Sequence, residues 1–120
     1  MPEARSLFFP KTRRLVRDSD FERVKREGWT KRGKLIMLGA LEVKGSGVPR
    51  AGFVVSRRLR SAVVRNRVRR RLREIVRTHQ LNLRDDIWIV LIARGAAATA
   101  GYRALEDEWL RLAKRASILL

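Results

Sequence analysis

The chain has 120 residues, 45% of them hydrophobic, with a formal net charge of +17 and no cysteine. That length and apolar content suit one folded domain with a modest core rather than a disordered tail. The charge repels itself in a compact state and points to an anionic partner, while the missing cysteines exclude disulfides, disulfide-linked partners and thiolate metal sites.

Residues 1–17 read as a basic arm, with Leu7, Phe8 and Phe9 packing on the body. The arm lacks the long apolar stretch of a secretory signal, and the best apolar run, Ile87–Ala93, is too short to span a membrane. The expectation is a cytoplasmic protein with no membrane partner. "DSDFERVKREG" follows as a short helix. Ser19 and Glu22 fit a capping box, Gly28 fits a stop, and Phe21 and Val24 share one face. "KLIMLGALEV", Lys34–Val43, is apolar on both alternating faces and reads as a buried strand. "KGSGVP" is a turn, and "RAGFVVS", Arg50–Ser56, is a second strand in which Gly52 marks a bulge or a close backbone approach. These two strands are expected to pair as a hairpin. A long helix begins at Ser61, Asn82–Asp86 makes a polar turn, and Ile87–Ala93 is a third strand. Thr99 is expected to cap a last helix striped by Tyr102, Leu105, Trp109, Leu112, Ala116 and Leu119. The order helix, strand, strand, helix, strand, helix gives an α+β fold, an α/β sandwich with helices against a sheet.

The long helix, "SAVVRNRVRRRLREIVR", holds the chemistry. At about 100° per residue, Val64, Val68, Leu72, Ile75 and Val76 share one sector and face the sheet. Asn66, Arg70, Arg73, Arg77 and Glu74 point the other way, with Arg65, Arg67, Arg69 and Arg71 on the flanks. Solvated helix faces mix signs, because like charges at i,i+4 cost a few tenths of a kcal/mol each. Here Arg65/Arg69, Arg69/Arg73 and Arg73/Arg77 are all like pairs, and Arg57, Arg58 and Arg60 extend the field into the preceding loop. Of the chain's 29 basic residues, 23 are arginine, whose planar fork grips phosphate at two points. The pattern implies a polyanion. Asn66 can contact a base edge, a ribose hydroxyl or a neighbouring backbone group, and composition does not separate these.

"RNRVRRRLRE", Arg65–Glu74, resembles the arginine-asparagine-arginine signature of the bacterial ribonuclease P protein subunit. "GFVVSRRLRSAVVRNRVRRRLREIVR" matches that family's strand, basic loop and helix without a gap. The likeness runs through "DSDFERVKREG", "GKLIMLGALE" and "DIWIVLIARGAA", covering roughly residues 10 to 116. The resemblance implies a fold like the second domain of ribosomal protein S5, with a left-handed strand-helix-strand crossover. It implies a single RNA-binding domain over residues 1–120. The partners would be the catalytic RNA of ribonuclease P, which performs the chemistry with Mg2+ held mainly by that RNA, and precursor tRNA, whose 5′ leader is removed.

By the same resemblance Arg65, Asn66, Arg67, Arg69, Arg70 and Arg73 contact the catalytic RNA, and the surrounding charge adds Arg57, Arg58, Arg60 and Arg77. Phe21, Lys25, Lys34, Ser56 and Arg57 would meet the leader. Phe21 reads equally well as core. The chain departs from the family pattern at Lys25, where a second aromatic is common, and at Gly39, where tyrosine is common. Fewer stacking planes and more phosphate attraction follow.

Two rivals stand beside this reading. A self-contained nuclease needs paired carboxylates or a general base with a partner. Asp85–Asp86, Glu106–Asp107–Glu108 and His79 are the candidates, and His79 has no obvious acid partner in the sequence. The expectation is therefore no catalytic or metal-binding residue in the protein itself. The alternative is a ribosomal or general structured-RNA-binding protein without a ribozyme partner.

Overall fold

A strand that is apolar at every position, such as Ile87–Ala93, is stable only where both faces and both edges are covered. The computed structural model, which describes Arg14, Leu15 and residues 17–120, places it inside a four-stranded sheet. In chain order the elements are α1 (Asp18–Glu27), β1 (Trp29–Arg32), β2 (Ile36–Glu42), β3 (Arg50–Val55), α2 (Ala62–His79), β4 (Ile87–Ala93) and α3 (Tyr102–Arg115), with 3-10 turns at Gln80–Asn82 and Gly95–Thr99. The sheet order is β1-β2-β4-β3; β4 runs antiparallel to β2 and parallel to β3. The expected packing of Leu7, Phe8 and Phe9 lies outside the described residues.

The α+β class holds, and the strand alternation of period two builds both layers. Ile87, Ile89 and Leu91 of β4, with Ile36 and Leu38 of β2, pack against Val68, Leu72, Ile75 and Val76 of α2 and against Leu105, Trp109 and Leu112 of α3. The intervening Trp88 and Val90 pack with Leu41 against Val24 of α1 and against Leu15. Thus α2 and α3 cover one face of the sheet, and α1 covers part of the other. The buried positions of α2 are those the periodicity predicts, with Val64 half-buried at its start.

The expected hairpin does not form. β2 and β3 both pair with β4, which lies between them. A β2–β3 pair would push the apolar β4 to an edge. The loop after β2 instead arches over the start of β4 and is fastened to Asp86. The Gly47 N–H donates to Asp86 Oδ1 at 2.6 Å, the Asp86 N–H to Gly47 O at 2.6 Å, and the Val43 N–H to Asp86 O at 2.7 Å. Gly45 and Gly47, at φ 85° and 83°, supply the left-handed turns this path requires.

Other expectations also change. β1 is a fourth strand absent from the sequence reading. The capping box does not form: α1 starts a residue before Ser19, no side chain caps it, and Asp18 and Asp20 instead face its positive end. Gly28 does end α1; a Cβ there would lie 2.0 Å from Ala40 O, so β2 passes too close for any other residue. Thr99 closes a 3-10 turn rather than capping α3, whose N-cap is Gly101. Ala97 and Ala98 are buried in that turn, which small side chains permit.

Candidate RNA interface

The basic helix is the crossover that a parallel β3–β4 pair requires. Ser61 starts it, its Oγ accepting from the Val64 N–H at 3.3 Å. With the apolar face against the sheet, the arginines divide by what they touch. Arg65 braces the preceding loop, donating to Arg57 O at 3.0 Å and Arg60 O at 3.3 Å. Arg67 and Arg71 reach the 3-10 turn, donating to Ala98 O at 3.1 Å and Ala100 O at 2.7 Å. Arg77 pairs with Glu74 and holds that carboxyl below its ordinary value. Arg69 donates to Asn66 Oδ1 at 3.1 Å, which leaves the Asn66 amide donors facing solvent. Among the described residues the side chains of Arg57, Arg58, Arg60 and Arg70 have no hydrogen-bond or ion-pair partner, and all four are exposed. The signature thus supplies both scaffold and outward charge.

Beside this face is a small pocket of about 280 Å³, lined by Arg14, Arg69, Arg73, Leu15, Phe21 and Phe53. Burial, with repulsion from Arg14 and Arg69, holds the Arg73 guanidinium below its usual value, and its Nε is buried without a hydrogen-bond partner. Cations gathered this way, without a carboxylate among the lining residues, fit an anion.

A larger cleft of about 400 Å³ opens on the α1 side of the sheet. One wall is α1, with Phe21, Glu22 and Lys25; the other is β1, with Thr30 and Arg32. Its floor is two rows across the sheet, Thr30–Gly39–Val90–Gly52 and Arg32–Met37–Ile92–Val54. Gly52 marks a close approach, but to a side chain: a Cβ there would sit 2.2 Å from Phe21 Cε1. The Phe21 ring therefore lies over Gly52, half-buried, and forms a partition lining both cleft and pocket. At Gly39 a Cβ would meet nothing closer than Val24 Cγ1, at 3.4 Å, so the floor there has room for a side chain.

The five leader residues named from the sequence divide. Phe21 and Lys25 line the cleft. Lys34, Ser56 and Arg57 do not, but lie together at the end of the sheet where Ile36, Val55 and Ala93 are in register. Arg94, which the sequence reading omits, belongs to the same end. Arg14, Glu22, Thr30 and Arg32 were also missed. β1, "WTKR", has no apolar alternation to announce it, and Arg14 gains its role only from long-range pairing with Ala51.

Three of the five acidic candidates, Asp86, Glu106 and Glu108, are occupied with structure, while Asp85 and Asp107 are exposed. His79 does have a partner: its Nε2 is 2.8 Å from Glu106 Oε2, and its ring stacks on Trp109. The pair joins α2 to α3, and helical spacing in one segment cannot show it. Asp86 fastens the β2–β3 loop, and Glu108 is buried under the β1–β2 turn. Among the described residues, no group of three or more His, Cys, Asp or Glu could hold a metal ion. No helix among them is long and apolar enough to cross a membrane.

A sequence profile of the family described as ribonuclease P matches residues 9–117. The chain belongs to the ribonuclease P protein family. Family relatives include the ribonuclease P protein component of Acidothermus cellulolyticus, 43% identical over 108 residues, covering 88% of this chain and 89% of the relative. That of Natranaerobius thermophilus is 34% identical over 105 residues, with 88% and 90% covered. A Staphylococcus aureus RNase P protein, a mutant with defective mRNA degradation activity, superposes with a TM-score of 0.84 at 26% identity, covering 90% of this chain and 91% of its own. The Thermotoga maritima RNase P protein gives a TM-score of 0.76 at 26% identity, with 85% and 96% covered.

Proposed function

We propose that the chain is the protein subunit of a ribonuclease P holoenzyme, binding the catalytic RNA and the 5′ leader of precursor tRNA in the cytoplasm. The observation that carries this is family membership across nearly the whole chain, with the signature helix docked so that its basic side faces out. The chain acts as one RNA-binding unit. Arg57, Arg58, Arg60 and Arg70, with the free amide donors of Asn66, meet the catalytic RNA; Arg65 and Arg67 hold the loop and turn that frame that contact. Neutralising phosphates releases condensed counterions, which supplies most of the affinity. The leader lies in the cleft. Its backbone passes Lys25 and Arg32, a base stacks on the exposed side of Phe21, and the strand leaves past Lys34, Ser56 and Arg57. Mg2+ is held mainly by the RNA.

Reconstitution tests the assignment. Protein with its cognate RNA cleaves precursor tRNA at a Mg2+ concentration where the RNA alone is slow, and protein alone does not cleave. Site-specific cleavage by RNA-free protein overturns it, as does cellular capture of ribosomal RNA instead of one small structured RNA. For the cleft, Phe21→Leu keeps most apolar volume but loses the flat ring. It weakens precursor tRNA binding to the holoenzyme about tenfold or more relative to mature tRNA, since stacking on one base is worth about 1–3 kcal/mol. Lys25→Ala gives a smaller, salt-sensitive loss of the same increment. Equal losses for both RNAs place the leader elsewhere.

A further inference from the structure

The outer wall of the cleft has no means of holding itself in place. β1 is four residues long, exposed at three of them, and pairs with β2 along one edge only. It is instead tied to α3, on the opposite face of the sheet, at both of its ends. At one end Trp29 Nε1–H donates to Ala116 O, just past α3, at 3.0 Å. At the other, Glu108 is 4% exposed, and its carboxylate accepts three consecutive backbone N–H groups of the β1–β2 turn. These come from Lys34 at 3.0 Å, Leu35 at 2.7 Å and Ile36 at 2.8 Å. The turn closes on itself through Gly33 N–H to Ile36 O, and Arg94 donates to Gly33 O at 2.8 Å. A Cβ on residue 33 would lie 2.4 Å from Glu108 Cδ, so glycine is what lets the carboxylate reach.

A buried carboxylate in so basic a chain would ordinarily be matched by a guanidinium. The nearest cation, Arg111, is 3.9 Å away and mostly exposed. The carboxylate is spent on backbone donors, which fix a turn's position more tightly than a mobile side chain can. The two residues flanking that turn, Arg32 and Met37, both line the cleft. We infer that Glu108 is a positioning residue for leader binding: from α3 it sets the β1 wall, and with it Arg32 and Lys34, at the width that admits single-stranded RNA. This rests on the reading that the leader occupies the cleft.

The test compares affinities of the assembled holoenzyme for precursor and mature tRNA. Glu108→Gln keeps the volume but turns an amide NH2 toward backbone donors, so at least one of the three bonds is lost. It lowers the leader-dependent affinity ratio about three- to tenfold, leaving affinity for the catalytic RNA, bound on α2, within about twofold. Trp29→Phe, which removes the donor at the other end and trims the ring, lowers the ratio in the same direction and serves where Glu108→Gln folds poorly. Arg32→Ala lowers the ratio in the wild type and adds little in the Glu108→Gln background, because the displaced wall has already withdrawn its charge. A merely structural role predicts parallel losses for both tRNAs and additive effects with Arg32→Ala, and either result overturns the inference. An unchanged ratio in Glu108→Gln, with a fall in Arg32→Ala, sinks the positioning role and leaves the cleft reading intact. Insensitivity of the ratio to Arg32→Ala, Lys25→Ala and Phe21→Leu alike overturns both.

Discussion

Replacing Gly52 with alanine tests the partition between cleft and pocket. The new Cβ would stand 2.2 Å from Phe21 Cε1, 2.7 Å from Cζ and 3.1 Å from Leu15 Cβ. The ring falls about 1.2 Å short of the 3.4 Å at which ordinary contact begins, and must swing away. Overpacking of this kind costs about 1–3 kcal/mol. The lost flexibility of the unfolded chain offsets about 0.4–1 kcal/mol of it. A net loss of up to about 2.6 kcal/mol remains, and at about 2.1 cal/mol/K of unfolding entropy per residue it lowers Tm by up to roughly 10 °C. Thermal melts of four proteins isolate the cause: wild type, Gly52→Ala, Phe21→Leu and the double variant. In the Phe21→Leu background the alanine has room, so its penalty shrinks or reverses. An equal Tm loss in both backgrounds, or a gain in the wild type, refutes the account of Phe21 lying over Gly52.

The division among the arginines gives a second prediction. Arg70→Ala weakens binding to the catalytic RNA with stability within about 0.5 kcal/mol of wild type, whereas Arg71→Ala strands Ala100 O and costs about 1–3 kcal/mol in a denaturant titration. Val68→Asp places an unpaired charge against the sheet, and loss of the folded circular-dichroism signal reports it. Affinity for the RNA falls linearly with salt on log–log axes at about −0.9 per neutralised phosphate; a flat response would mean that the basic face is not the contact. Inorganic phosphate stabilises the free protein through the Arg69–Arg73 pocket, by about 2.7 kcal/mol at a hundred times its Kd. Arg73→Ala removes most of that gain, and an undiminished gain in the variant would place the anion elsewhere.

How far the sequence was legible depends on where each element's information lies. β4 was readable to the residue because seven apolar positions in a row are local information. The inward face of α2 was readable because a period of 3.6 survives any tertiary context. The partner of β3 was not. A short glycine-rich link is the same string whether it joins neighbours or arches over a third strand, and the decision rests with burial of β4, some forty residues on. β1 was invisible because it is mostly exposed and its ties, the Trp29 bond to Ala116 O and the Glu108 bonds to the following turn, are made to distant residues of the chain. The signature located the basic surface. It could not say that Arg65, Arg67 and Arg71 spend a donor on backbone carbonyls while Arg70 does not, since that depends on a loop and a 3-10 turn brought in from elsewhere. Likewise Glu106 and His79 are 27 positions apart and meet only through helix packing.

The sheet's two margins bear on how the free subunit survives before it finds RNA. An uncovered strand edge is a template for pairing with another copy, and long flat edges drive aggregation. Here one margin is β1, only four residues long, with Lys31 and Arg32 among them. The other, along β3, is engaged by the Arg14–Leu15 segment, where the Leu15 N–H donates to Ala51 O at 2.8 Å. One edge is thus short and charged, which disfavours extension by a second copy, and the other is met at Ala51 by the chain itself. The shortness and charge of the strand that bounds the cleft also work against edge-to-edge pairing, so lengthening β1 would trade colloidal stability for a firmer wall.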